Sequence, residues 1–151
     1  MQPTADAIVD AALTVAEQGS WEGLRLYQVA EVLDTDLNGV RRHFREKEEL
    51  ADAWFDRADA AMLACGRELA VTELPSVERL ETLIWAWLDC LEPHRGVTRQ
   101  MILGKLEPGH LHVQIPAVLR ISRTVQWLRE AAGRDAAGLY RGLEETVLTS
   151  L

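Results

Sequence analysis

The stretch from Leu37 to Lys47 holds the densest group of side chains able to do chemistry. Asn38, Arg41, Arg42 and His43 fall within six residues, and Arg45 and Lys47 follow at once. Residues three and four apart are neighbours on a helix, so Asn38, Arg41 and Arg42 share a face if this stretch is helical. A guanidinium can donate two parallel hydrogen bonds to a guanine edge, and an amide side chain can engage adenine in the same way. Arg45 and Lys47 suit phosphate contacts, which set position without reading sequence. Other candidate clusters are poorer. His110 and His112 follow Pro108-Gly109 and read as a surface loop rather than a metal site. His94 beside Arg95 reads as a helix start on the surface. Cys65 and Cys90 match no metal spacing and supply no disulfide framework. No hydrolytic triad, phosphate-binding glycine loop or paired catalytic carboxylate is apparent. Neither an enzyme nor a cofactor is expected.

Helices must position these residues, because nearly every apolar segment repeats at helical spacing and no strand-like alternation persists. The first helix is expected from about Thr4 to Gly19, with Ile8, Ala12, Val15 and Ala16 on one face. A second runs from Leu24 to Leu33 with a stripe of Leu26, Val29, Ala30 and Leu33. Asp34-Thr35-Asp36 interrupts it, and Asp36 is placed to accept hydrogen bonds from the first free amides of a third helix. That helix, Leu37 to Phe44, is expected to turn Leu37, Val40 and Phe44 inward. Two short helices joined by a tight turn, with a third behind, make a helix-turn-helix. In that arrangement one helix crosses the DNA backbone while the next enters the major groove.

The rest of the chain continues in helices. A long one is expected from Lys47 to Leu69 (Leu50, Trp54, Ala58, Ala61 and Leu69 inward). Pro75-Ser76 opens a fifth with Val77, Leu80, Ile84, Trp87 and Leu91 in register. Pro93 ends it or begins a sixth reaching Leu106. Glu107-Pro108-Gly109 is a loop. A seventh runs from Ile115 to Ala132 with Val118, Ile121, Val125 and Leu128 aligned. An eighth, from Ala136, carries a stripe of Leu143, Val147 and Leu151 still in progress at the last residue. Such a stripe calls for more chain or a second subunit to cover it. Trp85 and Trp87 lie on different sides of one helix, and Trp85, Trp87, Met101, Leu103 and Trp127 are candidates to line an apolar pocket.

Composition bounds these readings. The chain has 151 residues, enough for an ordinary core, and 48% are hydrophobic. No apolar run approaches the roughly 20 residues of a membrane span, and no secretory signal opens the chain. A cytoplasmic setting is expected. The net charge is −8, so nucleic acid would have to be held by a local basic surface rather than by the overall field. Within residues 34–47 the basic Arg41, Arg42, Arg45 and Lys47 only just outnumber Asp34, Asp36 and Glu46.

Four segments resemble the N-terminal region of TetR-type transcriptional regulators: Ile8–Ala12, Ala16–Gly19, Val29–Leu33 and His43–Leu50. The match covers about residues 4–55. The resemblance implies an all-α protein with a three-helix helix-turn-helix domain over residues 1–50 and a helical ligand-binding and dimerisation domain over residues 51–151. It implies a homodimeric repressor whose operator is double-stranded DNA. A small apolar ligand would change the separation of the two recognition helices. Arg25, Tyr27, Asn38, Arg41, Arg42, His43 and Lys47 are the expected DNA-binding residues. The sequence departs from the family where a small residue or glycine is usual (Asp34), where the recognition helix usually begins with Ser or Thr (Asp36), and where an aromatic is usual (Arg41). Another protein of similar fold, the lipid-binding protein of ubiquinone biosynthesis, makes a lipid or isoprenoid carrier that does not bind DNA the alternative.

Overall fold

A computed structural model describes residues 2–106 and 111–132 of the chain. Among these residues the regular structure is helical: α1 (Ala5–Gln18), α2 (Leu26–Val32), α3 (Leu37–Arg41), α4 (Lys47–Cys65), α5 (Leu69–Thr72), α6 (Ser76–Leu91), a 3-10 turn (Glu92–His94), α7 (Arg95–Leu106) and α8 (Leu111–Ala132). The expected eighth helix and its Leu143, Val147 and Leu151 stripe lie outside the described residues.

The described chain forms two compact units. The first comprises residues up to Arg57 together with Leu91–Ala117; the second comprises Ala58–Cys90 and the chain from Val118 onward. In the first unit, α1 starts where Thr4 accepts a hydrogen bond from the Ala7 amide at 3.1 Å. Its face of Ile8, Ala12 and Ala16 is fully buried. Val29 and Ala30 of α2, Val40 and Phe44 around α3, and Leu50 and Trp54 of α4 complete this core. Polar contacts fix α7 to it. The Trp21 amide donates to Gln100 Oε1 at 2.7 Å, and the buried Trp54 indole donates to Thr98 Oγ1 at 2.9 Å. His94 Nδ1 lies 2.6 Å from Glu17 Oε1, and its ring meets Trp54 edge-on at 5.5 Å. His94 thus stands directly before the start of α7, as expected, but as a half-buried link within this unit rather than a free surface residue. Arg57 reaches Asp6 at 3.0 Å and Asp10 at 2.5 Å, tying α4 to the first turns of α1.

In the second unit, Met62, Val71, Leu80, Leu83 and Ala132 form the core, flanked by Cys65, Leu74, Trp87, Leu128 and Ala131. Arg79 donates to the carbonyls of Val71 (3.2 Å), Leu74 (3.1 Å), Thr72 and Ala132 (3.2 Å), closing the end of α5. A carboxylate is buried here as well. Asp59, 4% exposed, meets Arg120, 6% exposed, at 3.0 Å. Asp59 also accepts from the Trp87 indole at 2.9 Å and from the Thr124 hydroxyl at 3.0 Å.

Several sequence expectations need correction. Leu37 faces solvent, not the core. Val77, Ile84 and Ile121 are exposed, and the buried side of α6 is centred on Leu80, Leu83 and Leu91. The long fourth helix stops at Cys65, where Gly66 packs so closely that an added Cβ would stand 3.2 Å from Leu83. The seventh helix begins at Leu111, so His112 is helical rather than in a loop; His110 lies outside the described residues.

Candidate nucleic-acid interface

The turn between α2 and α3 explains how a five-residue helix keeps its place. Asp34 adopts φ 48°, the left-handed conformation that ends many helices and is usually given to glycine. Asp and Asn enter that region more readily than other residues with a Cβ. The Asp34 amide donates to the Glu31 carbonyl at 3.2 Å, and the Thr35 amide reaches back to Ala30 at 3.0 Å. These are the two bonds of a Schellman closure, and they reverse the chain within three residues. Asp36 then caps α3: its Oδ1 accepts from the Gly39 amide at 2.8 Å, and its Oδ2 accepts from Asn38 Nδ2 at 3.4 Å. Those bonds, with the Arg42 charge a lesser influence, hold the Asp36 carboxyl below the usual carboxylate range.

A helix of five residues is far too short to persist alone. Tertiary contacts decide its orientation. Gly39, Val40 and Phe44 are buried, so α3 lies on its support by that side. Leu37, Asn38, Arg41 and Arg42 are left together on the outward side. Asn38, Arg41 and Arg42 line a cleft of about 490 Å³ with Gln2, Thr35, Asp36, Gly39 and Arg45. Among the described residues, no carboxylate forms an ion pair with Arg41, Arg42 or Arg45. Glu49 instead accepts from the Arg45 backbone amide at 2.6 Å. Three cationic side chains are thus presented without a direct ion-pair partner among the described residues, with the Asp36 carboxylate on the same cleft.

The remaining expected DNA-binding residues divide. Tyr27 is 53% exposed in the first turn of α2. His43 is exposed, its ring centroid 6.5 Å from that of Phe44, and it does not line the cleft. Arg25 donates through one guanidinium nitrogen to the carbonyls of Glu22 and Leu24, both at 3.1 Å. Lys47 is half-buried. Its ammonium donates to the Trp21 and Glu22 carbonyls at 3.2 and 3.1 Å and sits 5.7 Å from the Trp21 ring centre. Lys47 therefore braces the 19–25 loop against the start of α4. Gln2, Thr35 and Leu37 join the surface without having been expected there.

The expected pocket residues are not gathered in one place. Trp85, Leu103 and Trp127 are exposed, and Met101 is buried in the first unit. Trp87 lines a small cavity of about 100 Å³ in the second unit, with Met62, Ile84, Thr124 and Leu128.

No protein-family model matches the chain, and no curated protein does. Solved structures do. The TetR transcriptional regulator from Nitrosomonas europaea ATCC 19718 is 55% identical and superimposes with a TM-score of 0.80, over 86% of this chain and 74% of that one. The TetR family transcriptional regulator PfmR from Thermus thermophilus is 21% identical with a TM-score of 0.55, over 93% of this chain and 72% of that one, and shows the shared fold.

Proposed function

The chain belongs to the TetR family of transcriptional regulators, and from that membership we propose that it is a ligand-responsive repressor acting as a homodimer on double-stranded DNA in the cytoplasm. Residues 1–50 supply the DNA-binding domain, and residues 51–151 supply ligand binding and dimerisation. The observation that carries this reading is the outward side of α3, where Asn38, Arg41 and Arg42 stand exposed around a cleft and the two arginines have no ion-pair partner among the described residues. Asn38 and Arg41 are assigned to base edges, Arg42 and Arg45 to phosphates, and Tyr27 and Arg25 to the backbone beside the first turn of α2. His43 is an accessory contact at most, and Lys47 serves the site by holding the loop before α2.

A dimer presents two such helices to half-sites about one helical turn apart, or a multiple of it. The ligand is a small apolar molecule. The cavity beside Trp87 and Thr124 is its point of entry, and at about 100 Å³ it must widen to hold one. A ligand that binds only the widened form shifts the population toward that form, which is how it acts on the DNA-binding unit. No observation favours the carrier alternative.

Gel-shift titration against genomic fragments at low and moderate salt tests the reading. A retained band that weakens as salt rises is expected, because phosphate contacts release counterions. Arg41→Ala with Arg42→Ala should remove it. A band indifferent to both changes, or no band at any salt, would overturn the assignment.

A further inference from the structure

Leu37 is the first residue of α3 and is 53% exposed. An isolated exposed leucine is ordinary on a protein surface. This one is not isolated in function. It shares the outward side of a five-residue helix with Asn38, Arg41 and Arg42, and Arg41 lies one turn along from it. Every other apolar residue of this helix and its exit, Val40 and Phe44, is buried. The first turn of a recognition helix is the part that reaches base edges. In the major groove the apolar feature at a base edge is the C5-methyl group of thymine. We propose that Leu37 is a specificity-determining residue that reads a thymine methyl in each half-site, beside the base or phosphate held by Arg41.

The charge arrangement supports this occupant over a protein surface. The exposed residues that share α3 and its C-cap with Leu37 are Asn38, Arg41 and Arg42, and the adjacent Asp36 carboxylate is engaged with the Gly39 amide and Asn38. An apolar protein partner would have to strip water from Arg41 and Arg42 without supplying the acceptors that DNA offers. The inference rests on the reading of this surface as a DNA interface, and the experiment separates the two.

The full chain and its Leu37→Ala variant are each used to select from a duplex library with a randomised core of about two helical turns, roughly 20 base pairs. The thymines enriched by the wild type are then replaced one at a time by deoxyuridine, which deletes only the methyl group. At one thymine per half-site the replacement should weaken wild-type binding about fourfold, and about fifteenfold when both half-sites are changed, from roughly 0.8 kcal/mol per buried methyl. Leu37→Ala should bind the thymine and uracil duplexes equally. The leucine is exposed, so the variant should fold, and circular dichroism with size exclusion confirms that. Wild-type indifference to uracil at every enriched thymine overturns the inference and leaves DNA recognition standing. Discrimination that persists in Leu37→Ala overturns it too, because another side chain then reads the methyl. Loss of a dimer in Leu37→Ala with discrimination intact would show a second copy as the occupant. If no sequence is enriched, the DNA reading fails and takes the inference with it.

Discussion

Gly39 lies on the supported side of α3, where an added Cβ would run into the Thr35 hydroxyl and stand 3.4 Å from the Thr35 Cβ. Threonine is stiff at χ1, so the hydroxyl does not swing away freely. Gly39→Ala is therefore expected to destabilise by about 1–2 kcal/mol, although alanine is the better helix former by roughly 1 kcal/mol. In a Thr35→Ala background the same change should be neutral or stabilising. A urea double-mutant cycle measures the coupling, and additive effects would refute the steric account. The neighbouring cap is sensitive to acid. The Asp36 carboxyl is held below its usual range by the Gly39 amide and Asn38, so its contribution to stability is complete above the unfolded value of about 3.9 and is lost as pH falls through the lower folded value. The melting-temperature gap between the wild type and Asp36→Asn should thus be constant from about pH 7 to 5 and close below about pH 4. A gap that does not change with pH would mean that the charge of Asp36 does nothing for α3.

At the scale of elements, the sequence was legible where a local signal was strong. Thr4 and Asp36 marked helix starts that the structure uses, and the Asp34 turn fell where the chain reverses. Faces were harder to read. The expected stripe of α6 (Val77, Leu80, Ile84, Trp87, Leu91) holds at Leu80 and Leu91, with Trp87 half-buried, but Leu83 is buried while Val77 and Ile84 are exposed, because Leu83, Ile84, Trp85 and Leu88 widen the apolar side of the helix. Periodicity finds such a side but not which edge of a wide one is covered. In α3 the spacing of Leu37, Val40 and Phe44 was right for Val40 and Phe44 and wrong for Leu37: five residues make little more than one turn, and Gly39 is the residue that packs beside Val40. The cationic residues of the candidate interface could be named from sequence because their types and spacing suffice. Lys47 could not be placed, because its role depends on carbonyls of Trp21 and Glu22 more than twenty residues away. The cavity residues Met62, Thr124 and Leu128 were illegible for the same reason: only tertiary contact unites them.

For the whole molecule, the buried pair of Asp59 and Arg120 fastens stretches of chain some sixty residues apart, with Trp87 and Thr124 completing the shell of the carboxylate. Removing one member of a buried pair leaves the other charge in a poor solvent. Asp59→Ala is expected to cost about 3–5 kcal/mol, read as a lower urea midpoint, and Asp59→Ala with Arg120→Met should recover a good part of that loss. A single mutant as stable as the wild type would show that the pair contributes nothing to the second unit. Charge has a different consequence at this scale. The chain carries a net −8, and the cationic patch of Arg41, Arg42 and Arg45 spans only the few residues around α3. A polyanion that meets random DNA gains little from general attraction, so the vast excess of irrelevant sequence in a genome sequesters few copies of such a molecule. A small cellular pool should then suffice to occupy its targets, and modest changes in intracellular ionic strength should alter their occupancy less than for a regulator with a basic surface throughout.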